Sequence, residues 1–374
     1  MNQKATGPIL EFNDHVEELT QGLSAIVLVG EELWVASDEL TSVERLAPGS
    51  NGDVFASQRS YEINISKGGP LKLPAVGKKK PDGKEVDQEI DIEGMDFDGG
   101  YLWLVGSHSI KRKNVSVKNS RHDPDEKNID KLNKTDAFGN RFLLARVPIV
   151  RDGQTGDSVL AATSPDKALN AAQLPCTMTD NALTRAILES GGKPDPHLSP
   201  WLSLPGKDNG FDIEGIAVSG QRVFLGLRGP VLRGWAVVLE LHIEEAGAGD
   251  LGLRKIGSEG RAYRKHFLNL GGLGVRDLCA DGDDLLVLAG PTMTQDGPVR
   301  VFRWKGGVAE SGDSVVWPDE FGSPALTIPH GEGIDRAEGM TLAPGGNILV
   351  VYDAPSDERM VGNNAVRADI FSLP

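Results

Sequence analysis

Ile213-Glu214-Gly215-Ile216-Ala217-Val218-Ser219-Gly220-Gln221-Arg222-Val223-Phe224-Leu225-Gly226 decides the fold. Two short apolar runs flank Gly220, the signature of a tight antiparallel hairpin. Four more stretches repeat it, beginning Leu23-Ser24-Ala25-Ile26, Ile92-Glu93-Gly94-Met95, Val275-Arg276-Asp277-Leu278 and Ala337-Glu338-Gly339-Met340. They turn at Gly30, Gly99, Gly282 and, one residue late, Gly345-Gly346. The second runs, such as Leu33-Trp34-Val35-Ala36 and Leu102-Trp103-Leu104-Val105, are apolar at every position, so both faces are expected to be buried.

A more polar third strand follows most copies, at Arg141–Val147, Trp235–Leu241, Val299–Trp304 and Val366–Phe371. Tyr61–Ile65, Trp201–Leu204, His266–Leu270 and Ala325–Ile328 suit a fourth, outer strand. Four antiparallel strands per repeat, graded from buried to exposed, describe a propeller blade. A β-sandwich explains short strands but not a hairpin repeated five times. The fold class expected is therefore all-β, a single β-propeller domain over 1–374. Taking Trp34, Trp103, Phe224, Leu286 and Leu349 as equivalent, the steps are 69, 121, 62 and 63 residues. The long step hides an insertion at 150–198 or a degraded sixth blade, and five blades are favoured. The insertion carries a helix near 165–191, from the cap at Thr179-Asp180-Asn181 to Gly191. Long loops are expected at 66–90 and 109–138. Ile9-Leu10-Glu11-Phe12 reads as an outer strand that completes the last blade and closes the ring.

Composition bounds the function classes. The chain has 374 residues, 39% of them hydrophobic, enough for a core and too many for a disordered chain. No apolar run approaches the roughly 20 residues of a membrane span. The formal charge of −15 argues against general nucleic-acid binding. Cys176 and Cys279 make neither a disulfide framework nor a zinc site, which suits a reducing compartment. The expectation is a cytoplasmic monomer, periplasmic if a leader has been removed. Residues 66–134 carry +2 against −17 elsewhere, with basic clusters at Lys78-Lys79-Lys80 and Lys111-Arg112-Lys113. These clusters read either as a rim that attracts an anion or as solvated loops.

Lys207-Asp208-Asn209-Gly210-Phe211-Asp212-Ile213-Glu214-Gly215 and Gly226-Leu227-Arg228-Gly229-Pro230-Val231-Leu232-Arg233-Gly234 are distinctive, as are Gly106-Ser107-His108-Ser109 and His330-Gly331-Glu332-Gly333. With them the chain resembles, over nearly its whole length, a bacterial family known only as a domain of unknown function. The resemblance implies a propeller-like fold, with a looser likeness to phytase-like propeller proteins. It carries no activity to transfer, and no phytase metal-ligand motif can be placed residue by residue.

Propeller topology turns spacing into geometry. The loops entering first strands and leaving second strands open on one face. Ser24, Asp91, Glu93, Asp212, Glu214, Arg276, Asp277, Arg336 and Glu338 should therefore meet Asp38, Glu39, Ser107, His108, Arg228, Arg233 and Asp353 at one channel mouth. So many carboxylates near one axis must pair, protonate or bind a cation. The metal reading takes Glu93, Glu214, Glu338, Asp38 and Asp353 as oxygen ligands, for calcium or magnesium first; His108 would admit manganese or zinc. Architectural alternatives are that each Glu accepts backbone N–H groups of the next blade across its following Gly, or pairs with the arginines.

No Gly-x-Ser-x-Gly elbow, His-Glu-x-x-His motif or phosphate loop is present. Two functions are carried forward. One is a metal-dependent hydrolase of an anionic ester, with Glu93, Glu214, Glu338, His108, Arg228, Arg276 and Arg336 as catalytic candidates and no organic cofactor. The other is a non-catalytic propeller that binds a small anion or a protein.

Overall fold

The structure is a computed structural model that describes residues 5–74, 78–79, 85–86, 89–116, 120–189, 192–247 and 249–374. Among these, five antiparallel hairpins form the inner strands of five blades. They are Leu23–Val29 with Glu32–Ser37, Ile92–Asp98 with Tyr101–Gly106, Asp212–Ser219 with Arg222–Gly229, Gly274–Asp281 with Asp284–Gly290, and Arg336–Ala343 with Asn347–Asp353. Each innermost strand packs on the next in order, and the fifth packs on the first, so the ring closes. The protein is an all-β propeller.

The apolar second strands are explained by the core. Five hydrophobic clusters fill the five gaps between neighbouring blades. In the first blade Trp34 and Ala36 enter the gap to blade two, while Leu33 and Val35 enter the gap to blade five. Alternate side chains thus serve opposite gaps, so Leu33 to Ala36 are all apolar. Trp34 and Trp103 are core residues, as the sequence predicts.

The outer strands show how the ring is fastened. Ala5–Glu11 pairs antiparallel with Ala365–Ser372 and so supplies the fourth strand of blade five from the N-terminus. It also pairs parallel with Val54–Glu62, the fourth strand of blade one. The 150–198 stretch is only partly an insertion. Ala172–Gln173 pairs with Leu144–Arg151 as the fourth strand of blade two, and Ser158–Leu160 extends it. The expected helix is present at Ala182–Glu189, capped by Asn181, whose Oδ1 accepts the Thr184 N–H at 3.0 Å.

Three expectations are corrected. Trp201–Leu204 is not a strand: Pro200 and Pro205 flank it and Ser199–Trp201 is a turn of 3-10 helix. Arg141 lies in another such turn, Gly139–Phe142, ahead of the third strand. The fourth strand of blade one is Val54–Glu62 rather than Tyr61–Ile65. No helix of the described residues is long and apolar enough to cross a membrane.

Candidate functional site

Each inner hairpin carries a β-bulge at the same place. The pairing slips between Leu23 and Ala25, Ile92 and Gly94, Ile213 and Gly215, Val275 and Asp277, and Ala337 and Gly339. The residues left between are Ser24, Glu93, Glu214, Arg276 and Glu338. A bulge re-aims a side chain out of the strand alternation and is a common device next to functional sites. Of the five, Glu93, Glu214 and Glu338 line the central cavity.

The following residue explains the repeated glycine. A Cβ on Gly215 would stand 2.6 Å from Asp277 Cα, one on Gly94 3.0 Å from the Ile216 nitrogen, and one on Gly339 3.2 Å from Ala25 Cα. Neighbouring inner strands touch there, most tightly at Gly215, where a side chain would force the backbones apart. Backbone N–H groups of the next blade are indeed captured by carboxylates, but not by the bulge glutamates. Asp96 accepts from Val218 at 2.6 Å, and Asp277 from Met340 at 2.7 Å. Asp277 is thus an inter-blade staple. Burial pushes Asp96 up to about 6 and Asp277 well above the usual carboxylate range.

The ring opens into a cavity of about 430 Å³. Its wall includes Asp38, Asp91, Glu93, Asp212, Glu214, Arg228, Glu338 and Asp353, eight of the residues expected there. Its two sides differ in charge. On blades three to five an ion-pair chain runs across the floor. Arg228 pairs with both Asp212 and Glu214. Arg276 Nη1 lies 3.1 Å from Glu214 Oε2 and 2.7 Å from Glu338 Oε1. Burial raises Glu214 and Glu338, opposed by these arginines. Burial alone would lower Arg228, but the surrounding carboxylates raise it.

On blades one and two, Asp38, Asp91 and Glu93 bring carboxylate oxygens within 4.8 Å of one another. Asp91 is buried in a left-handed backbone conformation (φ 59°) and its Oδ1 accepts from Arg141 Nη2 at 2.8 Å. Arg141 is itself buried, and it also pairs with Glu89. Among the described residues no hydrogen bond or ion pair reaches Asp38 or Glu93. Burial and the neighbouring charges of Asp91, Glu338 and Asp353 push Asp38 up to about 8. Burial, then Asp91, Glu214 and Asp38, raises Glu93 well above its ordinary value. Three carboxylates with one guanidinium satisfy their charge with protons or with a cation. The oxygen-only donor set is the kind that hard divalent ions take.

Eight expected residues are not on that wall: Ser24, Ser107, Arg276 and Asp277 are buried beside it, and four others sit elsewhere. His108 does not line the cavity. Its Nδ1 donates to the Gly106 carbonyl at 2.8 Å and its Nε2 accepts from Asn181 Nδ2 at 2.6 Å, so the neutral ring ties blade two to the helix cap. Burial holds it down at about 4. It offers no nitrogen to a metal, and the argument it lent to manganese or zinc lapses. Arg233 and Glu39 are exposed. Arg336 lies at the edge, 3.8 Å from Asp353 and 3.4 Å from Asp296, beside a side pocket of about 20 Å³. Of the five candidate metal ligands, Glu214 and Glu338 pair with arginines, Asp353 lies 3.8 Å from Arg336, and Asp38 and Glu93 meet Asp91.

Sequence reading missed Arg141, because it was placed on a strand, where alternation gives no sign of a turn pointing it inward. It also left out Lys207 as a site residue, although Lys207 opens the distinctive motif. Lys111, Arg112 and Lys113 do line the cavity mouth. Lys127 and Lys131 instead pair with Asp123, and Lys134 with Asp130. Lys80 and Lys118 lie outside the described residues, as do the side chains of Lys78 and Lys79.

Comparison with known proteins adds little to this geometry. No curated protein matches the chain. Solved structures that align include the PQQ-bound aldose sugar dehydrogenase of Streptomyces coelicolor, at 12% identity and TM-score 0.35, covering 99% of both chains. Myxococcus xanthus glutaminyl cyclase aligns at 8% identity and TM-score 0.36, covering 98% of this chain and 100% of that one. Likenesses this weak carry no argument about chemistry. A family model matches residues 22–369, almost the whole ring, and the chain belongs to that family, described as Protein of unknown function (DUF3616).

Proposed function

We propose that the cavity holds a hard divalent cation, calcium or magnesium, on Asp38, Asp91 and Glu93, and uses it to hydrolyse an anionic ester, a phosphate ester first. The observation that carries this reading is the 4.8 Å cluster of three carboxylates with a single guanidinium for countercharge. A cation there removes the repulsion that otherwise forces protons onto Asp38 and Glu93. It would lower the pKa of a bound water and polarise the ester.

The chain's own residues supply the rest. Arg141 fixes Asp91, so one ligand is oriented in advance. The Arg228–Glu214–Arg276–Glu338 chain keeps the opposite wall rigid and close to neutral. Lys111, Arg112 and Lys113 line the cavity, each beside one carboxylate, and offset its acidic charge. In the reaction the water oxygen bonds to phosphorus and the ester P–O bond breaks. One water proton ends on the alcohol and the other on orthophosphate, so no further reactant is required.

The test is a screen of phosphate mono- and diesters with calcium, magnesium and chelator. Turnover should require cation and fall at least about a hundredfold in Glu93→Gln, as expected for loss of a metal ligand. Turnover that survives chelator or Glu93→Gln would reject the assignment. So would its absence from every ester tried, which would leave the non-catalytic anion-binding reading.

A further inference from the structure

One basic residue on the cavity wall is left without a carboxylate. Lys111 Nζ lies 3.0 Å from Glu89 Oε1, and Arg112 Nε lies 2.7 Å from Asp208 Oδ2. Lys113 Nζ is 3.6 Å from Asp136. Arg141 and Arg228 are buried in pairs on the floor. Lys207 also lines the cavity, and among the described residues it has no ion-pair partner.

Its position is built rather than incidental. Lys207 stands in the turn Gly206–Asp208, which the Gly206 N–H fastens to the Ile110 carbonyl at 3.0 Å. A Cβ on Gly206 would collide with the Asp212 carboxylate, so the turn rests directly on the cavity floor. Burial raises Glu214 on blade three and both Glu338 and Asp353 on blade five, and the Lys207 ammonium is among the positive charges that oppose this. Blades three and five are not neighbours, so this exposed ammonium acts on cavity carboxylates from more than one blade.

The rest of the wall narrows what can enter. Ile110 and Leu132 are its only apolar side chains among the described residues, and no aromatic ring lines it. Sites for drug-like or base-bearing ligands are mostly apolar and aromatic. Among the described residues this one offers no aromatic ring on which a nucleobase or aryl group could stack.

We infer that Lys207, which lines the same cavity as the Asp38–Asp91–Glu93 cluster, binds the anionic group of a small, hydrophilic, non-aromatic phosphate monoester. This rests on the reading above, because the anion bridges the cation and the ammonium. Lys207 is therefore the substrate-binding charge, and the arginines are not. A point charge on a flexible stem suits a group whose oxygens multiply and turn over during the reaction, whereas bidentate arginines on this floor are already engaged.

The experiment is titration calorimetry on the full chain. Calcium or magnesium is titrated first, then inorganic phosphate into the cation-loaded protein, for wild type, Lys207→Met and Lys207→Arg. Lys207→Met should weaken phosphate at least about tenfold, as expected for losing one charge-assisted contact, with cation affinity unchanged. Lys207→Arg should recover part of the loss. Glycerol 3-phosphate should be hydrolysed in preference to adenosine monophosphate by at least about tenfold. Equal phosphate affinity in wild type and Lys207→Met overturns the inference, as does a preference for the nucleotide. Cation binding without phosphate binding defeats this inference alone. No cation binding at all defeats the parent reading with it.

Discussion

Arg141 Nη2 stands 2.8 Å from Asp91 Oδ1, and among the described residues this guanidinium is the sole countercharge that touches the three-carboxylate cluster. Its own side chain is 4% exposed, so the pair is shielded from water. Buried pairs are costly to break, because the surviving partner is left charged and unsolvated. Arg141→Met should therefore destabilise the cation-free protein by about 3 kcal/mol or more. Added calcium or magnesium should recover a larger part of the melting temperature in the variant than in wild type. Equal recovery in the two proteins would show that the cation does not sit beside Asp91.

The cluster also sets a pH dependence. Asp38 is pushed up to about 8 in the folded chain, from an ordinary value near 3.8. Between those values the folded state binds a proton that the unfolded state releases. Folding stability of the cation-free protein should therefore fall as pH rises from about 4 to about 8. Denaturant melts in chelator at pH 5, 6.5 and 8 measure this. Asp38→Asn should flatten the slope, and a wild-type stability that rises across that window would contradict the account.

His108 is assigned to architecture. Removing its ring leaves Asn181 Nδ2 and the Gly106 carbonyl each one partner short. Unsatisfied buried polar groups cost about 1–3 kcal/mol each. His108→Ala should lower the melting temperature by several degrees while leaving the cation-induced rise unchanged. A loss of the cation response with the fold intact would return His108 to the site.

Much of this was legible in the sequence, for physical reasons. The hairpin repeat was visible because the middle of each second strand serves two inter-blade gaps and is apolar there, as at Leu33–Ala36. Glu93, Glu214 and Glu338 stood out because a glycine must follow each where blades touch. What pattern could not show was pairing. Nothing in spacing reveals that Glu214 and Glu338 share Arg276 while Glu93 faces Asp38 and Asp91. That depends on which blade carries an arginine at the bulge, and on a short turn that sends Arg141 inward. His108 looked like a ligand because its sequence neighbours line the mouth; its left-handed backbone (φ 56°) turns it away.

The inter-blade contact makes a separate prediction. Gly215→Ala places a methyl group 2.6 Å from Asp277 Cα and 2.8 Å from the Leu278 nitrogen, both backbone atoms that cannot rotate aside. Overpacking of this kind costs about 1–3 kcal/mol. Thermal melts should show the loss with and without cation alike. An unchanged melting temperature would mean that blades three and four are spaced more widely than described.

The central claim is that the Asp38–Asp91–Glu93 cluster exchanges protons for a divalent cation. Calorimetric titration with calcium and with magnesium at pH 7, repeated in buffers of different ionisation enthalpy, tests it most directly. The account predicts one strong site for at least one of the two ions, release of protons on binding, and loss of the site in Glu93→Gln. Absence of binding by either ion to correctly folded protein would contradict it, as would binding without proton release and undisturbed by Glu93→Gln.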